Sequence, residues 1–163
     1  MSEPIDYYSY TPLVIPDKPL ALVGLPAARI NQTARLVSIL TGLPLFLLDR
    51  AVEHRLGKDL RRVLLEDGEE ARREAETALL DRPLAQSTPP VIALGSTTLL
   101  DETLRAKVLE RCTVIYVPVD GDASDLDQLY RLVSHVIVPQ LGRHEQRVAK
   151  QIIDELDLDV ELP

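Results

Sequence analysis

Five short segments of this 163-residue chain carry residue types able to do chemistry. The first is Gly24-Leu-Pro-Ala-Ala-Arg-Ile-Asn-Gln-Thr33, a glycine-led loop between an apolar run and a helical pattern. A loop of that place and length can cradle phosphates. It then needs a close glycine, a lysine for the outer phosphates and a Ser/Thr hydroxyl for magnesium. Measured against G-x-x-x-x-G-K-[ST], only Gly24 is kept; Arg29, Ile30 and Asn31 hold the other three places. The second segment ends in Asp49, a carboxylate able to hold hydroxyls or take a proton. The third is Gly68–Glu76, where Glu69 and Arg73 stand four apart and can pair on a helix face. By itself it reads as a solvated face laced with ion pairs. The fourth, Gly95-Ser-Thr-Thr98, is a polar turn. The fifth is acidic (Asp120, Asp122, Asp125, Asp127) and reads as a turn plus a helix N-terminus, where negative charge is favourable, rather than as a metal site.

The remaining candidates are weaker. Cys112 stands alone, which excludes a disulfide framework, and with His54, His135 and His144 it makes no zinc-ligand spacing. Cys112 reads as a small core residue, and the histidines as surface or capping residues. No metal is expected. Eighteen basic against 26 acidic residues leave a net charge of −8, which argues against a nucleic-acid or anionic-membrane binder. No apolar run nears the roughly 18 residues of a membrane span. Met-Ser-Glu-Pro lacks the basic and apolar regions of a signal peptide, so a cytoplasmic location is expected.

These residues must be positioned by alternating elements. Short apolar runs at 19–24, 43–49, 89–95, 113–117 and 136–138 suit buried strands. Helical patterns fall at 31–41, about 50–80, 101–111, 124–133 and 144–156, with Ser124 and Asp127 placed as a capping box. The expected fold is α/β: three layers, α/β/α, around a five-stranded parallel sheet. Ligands on such sheets bind at the carboxyl ends of the strands, where four of the five segments lie. Residues 1–18 are set apart by Pro4, Pro12, Pro16 and three of the five tyrosines. They read as an N-terminal strap or as a docking arm for a protein partner. Residues 19–156 read as the domain and 157–163 as an acidic tail.

In order and spacing the pieces resemble the shikimate kinase family, P-loop kinases of the nucleoside-monophosphate-kinase type. Leu47-Leu-Asp49 with Arg55-Leu-Gly57 is similar to the family's D-x-D and Arg-x-Gly. Gly68-Glu69, Arg72-Arg73 and Glu76 resemble G-E-x-x-F-R-x-x-E, and Ala93-Leu-Gly95-Ser-Thr97 resembles A-T-G-G-G. The resemblance covers about residues 19–156. It implies a site for a small cyclic hydroxy-acid, with Asp49 on its hydroxyls and as the base, Arg73 on its carboxylate and Gly95 under its ring.

The departures set the functional expectation. Leu47 replaces the first aspartate of D-x-D, Asn31 the hydroxyl of the phosphate loop, and Ile30 its lysine. Ser96 and Thr97 replace two glycines, and Arg72 replaces the aromatic residue. Only residues 118–135 separate the fourth and fifth strands, which leaves no room for the basic lid that the family closes over ATP. The leading expectation is a catalytically dead relative, without ATP or magnesium, that binds a shikimate-like acid or a protein partner. The alternatives are an active kinase using ATP and magnesium, with Arg29 or Arg35 in place of the lysine and Asp49 as base, and an interaction module without a ligand.

Overall fold

The computed structural model describes residues 15–158, so most of the arm (1–18) and of the tail (157–163) lies outside the described residues. The elements are β1 (Leu20–Val23), α1 (Ile30–Thr41), β2 (Leu45–Leu47), α2 (Leu48–Leu56), α3 (Leu60–Arg62), α4 (Gly68–Leu84), β3 (Val91–Ala93), α5 (Glu102–Arg111), β4 (Thr113–Tyr116), α6 (Asp125–Val133), β5 (Val136–Ile137) and α7 (Glu145–Glu155). A π-helical turn, Val63–Asp67, joins α3 to α4. The five strands form one parallel sheet in the order β2-β3-β1-β4-β5. This is the expected three-layer α/β/α fold.

Alternation along the central strand divides the core. Leu20 and Leu22 pack with Ala34 and Val37 of α1 and with Val148, Ala149 and Ile152 of α7. Ala21 and Val23 face the other way, towards Val52, Leu80, Val108 and Tyr130. A strand covered on both faces has no place for a polar side chain, which is why β1 and β3 are continuous apolar runs. Leu158 is also buried in the first cluster, with its amide on the Ile153 carbonyl. The packed domain therefore reaches at least two residues past 156.

β1 lies between β3 and β4, while the chain leaving β1 runs through α1 to the edge strand β2. The loops after β1 and β3 therefore part at the carboxyl edge of the sheet and leave a crevice between them. Residues 118–135 hold a turn and α6, with Ser124 capping α6 through the Asp127 amide.

The acidic segment is more than a solvated turn. Asp127 is buried, accepts from the Tyr116 hydroxyl at 2.6 Å and is held by Arg131 at 2.9 Å. Tyr116 stacks edge-on against Tyr130, with centroids 5.4 Å apart. The Tyr130 hydroxyl donates to the Ser96 carbonyl. This chain of contacts ties α6 to β4 and to the loop after β3. The Tyr116 hydroxyl, and then Arg131, hold the Asp127 carboxyl below the usual aspartate range. A carboxylate with a lowered pKa stabilises the fold above its unfolded pKa and loses that effect as pH falls through its folded value. Tyr116→Phe should therefore cost about 1–2 kcal/mol at neutral pH. The difference from wild type should shrink as pH drops below the aspartate range. Urea denaturation across pH measures both, and equal stabilities at pH 7 would contradict the tie.

Candidate functional site

The loop after β1 folds as its composition requires. Pro26 opens a 3-10 turn, Pro26–Ala28, and Arg29 follows in the left-handed region at φ 53° as the N-cap of α1. Glycine takes that conformation with less strain than any other residue, and a phosphate loop has its second glycine at this place. The Arg29 side chain, at the border of the crevice, meets Glu145 of α7 at 2.8 Å. Glu145 is buried, and Arg29 holds its carboxyl below the usual range.

Ile30 fills the inside of the loop. A Cβ placed on Gly24 would lie 2.9 Å from the Ala28 Cβ, 3.0 Å from the Ile30 Cδ1 and 3.0 Å from the Val117 carbonyl oxygen. Gly24 is therefore required by close packing of this loop on itself and on Val117, the residue just past β4. What remains open is a cavity of about 250 Å³ lined by Gly24, Pro26, Arg29–Gln32, Asp49, Leu60, Leu94 and Ser96, among others. Among the described residues, no group of three or more His, Cys, Asp or Glu side chains is placed to hold a metal ion. Asn31 and Leu47 stand where the resemblance implies magnesium contacts, and neither carries a carboxylate or hydroxyl.

Asp49 lies in the first turn of α2. Burial pushes its carboxyl above the usual range, against the opposing pull of Arg72. Gly95 sits directly beneath it: a Cβ there would be 2.8 Å from Asp49 Oδ1 and 2.9 Å from Thr98 Oγ1. Two of the residues implied by the resemblance, Asp49 and Gly95, are thus in contact.

Arg73 requires a correction. It lies on the outer face of α4, half exposed, 3.8 Å from Asp101 and on a different surface hollow from Asp49. The arginine that turns inward is Arg72, which is 4% exposed. It bonds Glu76, which is 1% exposed, and Glu69 at 2.6 Å. The expected Glu69–Arg73 pairing is therefore a Glu69–Arg72 pairing. Glu76 also accepts from Thr98 Oγ1, which in turn accepts from the Gly95 amide. Burial raises the Glu76 carboxyl, with the Thr98 bond and Arg72 opposing. The cause lies in the helical phase: Arg72, Ala75, Glu76, Leu80 and Pro83 share the buried face of α4, and Arg73 is one residue out of phase. That phase was visible in the spacing of Ala75, Leu80 and Pro83. The Arg72–Glu76–Thr98–Gly95 chain was not predicted, because it needs the fold to bring the loop after β3 onto α4.

The other candidates fall as follows. Cys112 is buried and its thiol is pushed up to about 12 by burial. His135 Nδ1 accepts from the Val114 amide at 2.9 Å, and His144 caps α7.

A family model described as shikimate kinase matches residues 32–124, more than half of the chain, starting just past Asn31. The chain is 31% identical to a shikimate kinase of Salinibacter ruber over 161 residues, covering 92% of this chain and 78% of that protein. It is 27% identical to a shikimate kinase of Paracidovorax citrulli, covering 88% and 94%. A 36% match to a shikimate kinase of Thermobifida fusca covers 63% of this chain and 59% of that protein. Among solved structures, the fold is similar to a shikimate kinase from Acinetobacter baumannii in complex with shikimate. That likeness has a TM-score of 0.75 at 21% identity over 85% of this chain and 92% of the other.

Two substitutions test the site's construction. Glu76→Ala should cost about 3 kcal/mol, because it strips the buried partner from Arg72. Gly95→Ala should cost about 1–3 kcal/mol, because its methyl group must displace Asp49 or Thr98. Thermal and chemical denaturation measure both, and a change below about 0.5 kcal/mol in either would refute the corresponding contact.

Proposed function

The chain belongs to the shikimate kinase family, and from that premise we propose that it does not transfer phosphate from ATP and acts by binding a small hydroxylated ring compound. The observation that carries this reading is Ile30, which stands at the place of the phosphate-loop lysine with its side chain packed in the loop against Gly24. Phosphoryl transfer is mostly positioning and charge neutralisation by a loop, its lysine, magnesium and an arginine clamp. Removing one donor of this kind costs about 3–4 kcal/mol of barrier. Here the lysine, both magnesium contacts and the basic lid are replaced together. Arg29, the stand-in considered for the lysine, is held by Glu145 instead, and Arg35 is exposed on α1. ATP and magnesium are accordingly no part of this reading. Binding is assigned to the crevice beside Asp49, which the fold places at the carboxyl edge of the sheet. No helix among the described residues is long and apolar enough to cross a membrane, and we assign the protein to the cytoplasm.

A second reading has support of its own. The relatives named above carry the name shikimate kinase at up to 92% coverage of this chain, which favours an active enzyme converting ATP and shikimate to shikimate 3-phosphate. The docking reading of residues 1–18 rests on sequence alone. Coupled detection of shikimate-dependent ADP release separates the first two. The proposal expects none above a no-protein control, at millimolar ATP, magnesium and shikimate. Turnover that is lost in Asp49→Asn would establish the active enzyme instead.

A further inference from the structure

The resemblance gives the ligand's carboxylate to Arg73, but Arg73 borders another hollow and faces Asp101. A carboxylate in the crevice therefore needs a different cation. Arg72 is 4% exposed, and its Nη1 and Nη2 are bonded to Glu76 and Glu69. Its Nε has no partner but is closed off from solvent. Arg29 is the one cation among the described residues that lines the cavity, where it shares the wall with Asp49, Asn31, Gln32 and Ser96.

The Arg29 side chain is 64% exposed, and Glu145 engages only its Nη1, at 2.8 Å. Nε and Nη2 have no partner among the described residues. Together these two nitrogens form a fork that meets a carboxylate bidentately. An exposed arginine ordinarily loses side-chain freedom when it grips a ligand. Here buried Glu145 already holds the guanidinium, so part of that ordering is complete before a ligand arrives. The local charge balance also suits an anion. Arg143 borders the far side of Arg29 and is held by the carbonyls of Pro139 and Gln140, not by a carboxylate. Glu145 therefore offsets one of two guanidinium charges, and the first turn of α1 carries no acidic residue. Elsewhere on the wall, Asp49, Asn31 and Ser96 can meet hydroxyl groups. The volume, about 250 Å³, suits a single small ring.

We propose that Arg29 holds the acidic group of a small hydroxylated carboxylic acid in this cavity, with the ligand's hydroxyls towards Asp49. This deepens the binding reading given above and rests on it. The carboxylate then lies against the loop after β1, and not towards α4 as the resemblance implies.

The test is calorimetry on the full chain at neutral pH and low salt, with shikimate and its methyl ester as probes. The ester keeps the ring and its hydroxyls and loses the charge. Wild-type protein should bind shikimate roughly tenfold or more tightly than the ester, and added salt should shrink that preference. Arg29→Asn should bind the two probes alike; asparagine takes the left-handed turn at this position more readily than most residues. Arg73→Ala should keep the wild-type preference. Where Arg29→Asn fails to fold, the Arg29 Nε–H resonance of the wild type decides: it should move on titration with shikimate and stay in place with the ester. Equal binding of acid and ester by the wild type would overturn the proposal. So would a preference that survives Arg29→Asn or vanishes in Arg73→Ala, or an Arg29 resonance that shikimate leaves unmoved. Those outcomes leave the binding reading in place, whereas no binding of either probe would sink both.

Discussion

Two ion pairs anchor the carboxyl edge of the sheet, and the account of this protein depends on where their positive charges point. Arg29, at the border of the crevice, pairs with buried Glu145 on α7. Arg72 reaches inward to buried Glu76, which hydrogen-bonds Thr98 and so fixes the loop after β3. The buried Arg72 guanidinium cannot be left without a carboxylate, because its desolvation is too costly. In the other pair the carboxylate is the buried partner: Glu145 is covered, while Arg29 stays mostly exposed. The edge keeps the topology of the family's fold, and in it each of these guanidiniums is paired with a carboxylate of the chain itself.

The loop after β1 shows the same substitution in apolar form. Ile30 opens α1 with its side chain packed over Gly24, where the resemblance implies a lysine. The left-handed turn at Arg29 survives although a glycine would hold it with less strain. The path of this loop is held by packing of Ile30 and Ala28 around Gly24. In the same way, the region between β4 and β5 is closed by a short helix pinned through Tyr116, Asp127 and Tyr130, not by a mobile basic segment.

The sheet and most helices were legible locally, but the stretch of about 50–80 that reads as one helical pattern is divided into α2, α3, a π-helical turn and α4, with Gly57 and Gly68 at the breaks. Apolar runs of strand length alternated with helical patterns, and the capping pair Ser124 and Asp127 marked α6 within one residue. The positions of Asp49 and Gly95 at strand ends were legible for the same reason. The family pattern follows residue order and points to Arg73, whereas the helical phase of α4 decides that Arg72 is the buried arginine. The Arg29–Glu145 and Thr98–Glu76 contacts join residues 116 and 22 positions apart. No local spacing encodes such pairs; they appear only when the sheet order is known.

The central claim, that the loop of residues 24–33 no longer receives a triphosphate, is tested most directly by amide spectroscopy. Isotopically labelled protein would be titrated with a non-hydrolysable ATP analogue and magnesium. The account predicts that the amides of Gly24 to Gln32 stay in place up to millimolar analogue. Saturable movement of those amides, dependent on magnesium, would contradict it.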